Sequence, residues 1–69
     1  MTAVDESVLR MLNQIAANFA YMSSGEAAAA TADHVTRFWT PSMRRALAEH
    51  VAVGGAGLSA VALEAAGLL

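Results

Sequence analysis

The run Trp39-Thr40-Pro41 narrows what this chain can become more than any other feature. Proline disfavours a helical conformation at the residue before it, so a helix arriving at Trp39 has to stop there. Proline also suits the first position of a helix, where its missing N–H would have found no partner. Thr40 therefore reads as the N-cap of a new helix that begins at Pro41. A single junction sets the end of one helix and the start of the next, with Phe38 and Trp39 at the corner.

Helical periodicity accounts for the remainder. Val4, Val8, Met11, Leu12, Ile15, Phe19 and Met22 recur at spacings of three and four, with Met11 and Leu12 adjacent. That pattern predicts a first helix over about 3–22, opened by a Thr2/Asp5 capping box. Ser23, Ser24 and Gly25 end it, and Ser23 with Glu26 forms a second capping box. The second helix is expected over about 25–39, with Ala28, Thr31, Ala32, Val35, Phe38 and Trp39 on its larger face. Asp33 and Arg37 stand at the i,i+4 spacing of a helical ion pair. A third helix over about 41–53 carries Met43, Ala46, Leu47 and Val51, and stops at Gly54-Gly55. Ser59 caps a short fourth helix over about 59–66, with Leu58 and Leu63 placed as a hydrophobic staple and Gly67 at the end. No strand pattern or internal repeat is visible. The expected fold is all-α: a small compact bundle of three main helices plus a short C-terminal helix, forming one domain over 1–69.

Composition qualifies this. A chain of 69 residues with no Cys has no disulfide to staple it, and one this short buries only about 60% of its unfolded surface. Apolar residues make up 57%, which with 14% charged residues excludes disorder. Seventeen of the apolar residues are alanines, strong helix formers, so the larger core-forming set is smaller than the percentage suggests. The net charge of −2 and the absence of Lys weigh against a nucleic-acid binder. No run reaches the roughly 20 apolar residues of a membrane span. The acidic start MTAVDES is not a secretory leader, and with no Cys the expectation is a cytoplasmic protein.

Few residues offer chemistry. His34 and His50 lie 16 residues apart, which does not resemble a closed metal site. Asp33 and His34 are adjacent, so on a helix they diverge by about 100° and form no local relay. The serines are better placed as caps and turn residues than as nucleophiles. Gly54-Gly55-Ala56-Gly57 follows a helix and lacks the Lys and Ser/Thr of a phosphate loop. No catalytic, cofactor-binding or metal-ligating residue is expected in this chain.

The segment from Arg37 to Arg45 is different. Arg44 and Arg45 fall near the start of the third helix, where cations oppose the helix dipole. Trp, Met and Arg are types enriched at protein–protein contacts. Phe38 reads as a core anchor, Trp39 as either core or contact, and the arginines as partner contacts. Asn13 and Gln14, in the middle of the first helix, are either solvated or hydrogen-bonded to the backbone of another helix or subunit. The candidate partner-binding set is therefore Asn13, Gln14, Arg37, Trp39, Pro41, Met43, Arg44 and Arg45.

Met11-Leu12-Asn13-Gln14-Ile15, Phe19, Ala32-Asp33-His34-Val35, Arg37-Phe38-Trp39, Pro41, Met43-Arg44, Leu47, Gly54-Gly55 and Leu58-Ser59 follow one order and spacing. In this order the chain resembles the delta subunit of NAD-dependent formate dehydrogenases that contain molybdenum or tungsten. Thr40 stands where that family usually has Asp, Ser42 where it often has Arg, and the tail Ala60-Val61-Ala62-Leu63 lacks the family's common proline and basic residues. The resemblance implies a small non-catalytic subunit supporting assembly, cofactor maturation or stability of the catalytic alpha subunit. It implies a complex with beta and gamma subunits that oxidises formate to CO₂ with NAD. Molybdopterin guanine dinucleotide, iron–sulfur clusters and FMN would sit in those larger chains. Two other readings compete: a helix-turn-helix nucleic-acid binder using the third helix, and a self-associating helical module using the stripe of the first.

Overall fold

The computed structural model describes residues 6–69. It contains four helices: α1 Glu6–Asn18, α2 Ser24–Phe38, α3 Pro41–Ala52 and α4 Ala60–Gly67. The described residues contain no strand. The Thr2/Asp5 capping box, Val4 and the expected helix start at residue 3 lie outside the described residues.

Each of the other three helix starts is capped by a side chain accepting from the backbone N–H three residues on. Ser23 Oγ accepts from Glu26 N at 3.4 Å, Thr40 Oγ1 from Met43 N at 3.2 Å and Ser59 Oγ from Ala62 N at 3.2 Å. These bonds satisfy N–H groups that have no partner within the helix. Ser23 also donates its hydroxyl proton to Glu26 Oε1 at 3.0 Å, a variant of the expected box. The end of α3 is closed by glycine. Gly55 N donates to His50 O and Gly54 N to Val51 O, each at 3.0 Å. Gly54 has φ 120° and Gly55 φ 66°, giving the paired bonds of a Schellman ending.

The first helix ends four residues earlier than its apolar spacing predicts. Phe19 N bonds Ala16 O, Ala20 N bonds Ala17 O and Met22 N bonds Phe19 O, all i to i−3. The chain thus tightens into turns after Asn18, because it must reach the extended N-cap conformation at Ser23, φ −60° and ψ 156°. Phe19 and Met22 are consequently half-buried rather than part of a continuous helical stripe.

α1 touches all three other helices, and α2 packs most extensively on α4. The main core joins Val8, Leu12 and Ala16 of α1, Val35 of α2, Trp39, Leu47 of α3 and Ala62 of α4, with Ile15, Met43, Val51 and Leu58 packed against it. A second cluster, Ala28 and Ala32 of α2 with Ala65 of α4, forms a seam of small residues. Thr31 is buried beside it and donates its hydroxyl to Ala27 O at 2.7 Å, so no polar group is left unpaired there.

Phe38 departs from the expectation of a core anchor. It is 70% exposed, whereas Trp39 is 8% exposed. Trp39 leaves the helical conformation, at φ −87° and ψ 145°, and joins the core. Phe38 stays on the last turn of α2 and rests against the His34 ring, centroids 4.8 Å apart.

Asn13 ties α1 to the connection between α3 and α4. Its Nδ2 donates to Gly57 O at 2.8 Å, and its Oδ1 accepts from Ser59 N at 2.9 Å. The two bonds have opposite polarity, so they fix the amide orientation. Replacing Asn13 with Ala removes both, and at about 0.5–1.5 kcal/mol each the fold should lose about 1–3 kcal/mol. Urea denaturation followed by Trp39 fluorescence measures this, and an unchanged midpoint would refute the clamp.

Candidate partner-docking groove

The structure distributes the sequence-predicted contact residues unevenly. Asn13 uses both its polar functions within the chain, as described. Gln14 is exposed and donates to Asn18 Oδ1 at 3.4 Å along the same helix. Arg37 pairs with Asp33 at 3.0 Å on an exposed face of α2, which contributes little to stability. Trp39 is buried and Met43 is packed against the core. Trp39 is therefore a core residue, the first of the two roles open to it.

Pro41, Arg44 and Arg45 come together. They line a surface groove of about 300 Å³ with Leu47 and Ala48 of α3 and with Ala66 and Leu69 from the end of the chain. Leu47, 1% exposed, serves the core and the groove at once. The walls are mostly apolar and the charged groups are both guanidiniums. The first turn of α3 holds no acid, so the partial positive charge of the helix start adds to that of Arg44 and Arg45.

Neither guanidinium is paired with a carboxylate of the described residues. Among the described residues the one ion pair is Asp33–Arg37. Glu49 stands four residues after Arg45, yet no pair forms between them. The Nε of Arg44 is buried and lacks a hydrogen-bond partner. An unpaired buried donor costs about 1–3 kcal/mol, more when charged.

Several other polar side chains have structural employment. Ser23, Thr40 and Ser59 are caps. The His50 ring lies with Nε2 2.7 Å from Ala56 O, bridging to the loop beyond α3 rather than to the last helical carbonyls. His34 packs on Phe38. Among the described residues, no three His, Cys, Asp or Glu side chains cluster as a metal site would require. No helix among the described residues is long and apolar enough to cross a membrane.

Sequence reasoning found the cationic wall of the groove through the position of Arg44 and Arg45. It missed Ala48, Ala66 and Leu69, because Ala66 and Leu69 reach the groove only through the packing of α4. It also placed Phe38 inside, where no local signal separates it from Trp39.

Fold and groove together define a small all-α protein with a cationic, apolar-floored surface groove. Residues 7–66 match the family described as NADH-dependent formate dehydrogenase delta subunit, FdsD. The chain belongs to that family. No curated protein and no solved structure matches it.

The two neighbouring aromatics should respond oppositely to truncation. Trp39→Ala should destabilise the fold by about 3–5 kcal/mol, and Phe38→Ala should change it by no more than about 0.5 kcal/mol. Thermal melts followed by circular dichroism distinguish them, and comparable losses would contradict the assignment.

Proposed function

We propose that this chain is a non-catalytic accessory subunit that docks on the catalytic alpha subunit of an NAD-dependent formate dehydrogenase and supports its assembly, cofactor maturation or stability. The family match over residues 7–66 carries the reading. The groove supports it, since neither of its guanidiniums is paired with a carboxylate of the described residues. Ser23, Thr40 and Ser59 are engaged as helix caps and His50 in a loop bond.

In this reading beta and gamma subunits complete the complex, and formate oxidation with NAD reduction takes place in the larger chains. Molybdopterin guanine dinucleotide, iron–sulfur clusters and FMN belong there too. With no Cys, this chain has no thiolate to ligate a cluster. Arg44 and Arg45 are the contact residues proposed from the original set, with Pro41 at their edge. Gln14 and Arg37 are exposed and are proposed as secondary contacts, while Asn13, Trp39 and Met43 hold the surface in shape. The protein works in the cytoplasm, alongside the NAD pool that the complex reduces.

Deleting the gene should lower formate-dependent NAD reduction in extracts, and a tagged chain should bring down the alpha subunit. Full activity in the deletion strain together with no co-purification would overturn the reading.

A further inference from the structure

The groove between α3 and α4 has a chemistry specific enough to describe its occupant. Its volume of about 300 Å³ lies at the lower end of the range for small-molecule sites, about 300–1,000 Å³. It accommodates side chains rather than a dinucleotide. Leu47, Ala48, Ala66 and Leu69 offer it apolar surface, while Arg44 and Arg45 offer charge.

Charge complementarity selects the partner. Both guanidiniums lack a carboxylate among the described residues. A carboxylate facing the two terminal nitrogens of an arginine makes two parallel bonds, a strong and directional pairing for that side chain. Apolar side chains flanking such a carboxylate would cover Ala48, Ala66 and Leu69. A phosphate would satisfy the cations but leave the apolar floor uncovered.

We propose that this groove docks an acidic, amphipathic segment of a partner protein, with an Asp or Glu carboxylate on Arg44 and Arg45 and an adjoining apolar side chain on Ala48, Ala66 and Leu69. The proposal rests on the accessory-subunit reading, because it takes the segment to lie in another subunit of the formate dehydrogenase complex. It specifies what that segment is made of and where on this chain it sits.

The test uses the full complex, expressed with this chain carrying p-benzoylphenylalanine in place of Ala48, or of Val53 as a comparison. Val53 is 82% exposed and lies at the other end of α3. Irradiation should link position 48 to a segment of another subunit that contains Asp or Glu beside apolar residues, with little linkage from position 53. Arg44→Ala with Arg45→Ala should weaken association about thirtyfold or more, from truncating paired charges at an interface. Arg45→Glu alters only an exposed side chain and should also weaken it, so a folding defect in the double variant would leave the test intact.

A link to a segment without acidic residues overturns the proposal, as does a link between two copies of this chain. Co-purification of the wild-type chain with no link from position 48, or with both Arg variants bound normally, overturns the groove while sparing the accessory-subunit reading. Failure of the wild-type chain to co-purify overturns both.

Discussion

The side chain of Asn13 holds together parts of the molecule that have little other reason to meet. α4 has eight residues, far too few to persist as an isolated helix in water. Its N-terminal entry is fixed because Asn13 takes the Ser59 N–H and gives a proton to the Gly57 carbonyl. The same loop is secured from the other side by His50 against Ala56 O and by the glycine-closed end of α3. Once α4 is placed, Ala62 completes the main core and Ala65 completes the seam with α2. Ala66 and Leu69 are then carried to the edge of α3, where the groove exists only because they are there.

The seam gives the abundant alanine a place in the core. Ala28, Ala32 and Ala65 place small side chains at the contact of α2 with α4, and Val61 packs against them. Alanine has no rotamer freedom to lose on burial, so this contact avoids an entropic cost that larger residues would incur. Thr31 is tolerated at the same face because its hydroxyl bonds back to Ala27 O on its own helix.

Local chemistry was legible in the sequence, and contacts at long range were not. Ser23, Thr40 and Ser59 were identifiable as caps because a cap bonds a backbone group three residues away, and the glycines after α3 because a positive φ is a local demand. Leu12, Val35 and Leu47 were legible through helical spacing. The first helix was read too long because its apolar pattern continues through Phe19 and Met22 after the hydrogen bonding has changed. Phe38 and Trp39 could not be told apart, since their fates depend on the extended geometry of a single residue. Asn13 showed itself as an unusual polar group in mid-helix, but its partners lie more than forty residues away. For the candidate site, the arginines were visible as cations at an unfavourable helix position. The apolar surface facing them was not, because it arrives from another helix.

Leu47 belongs at once to the sealed interior and to the floor of the groove. The groove therefore has its shape only while the interior is intact, and whatever occupies it binds the folded chain in preference to the unfolded one. By mass action such a ligand raises the free energy of unfolding, by about 2.7 kcal/mol at a hundredfold excess over its dissociation constant. For a small protein without covalent staples, that is a large share of total stability. Occupancy and folding are thus a single linked equilibrium. A copy that has lost its interior is also a copy that no partner can hold.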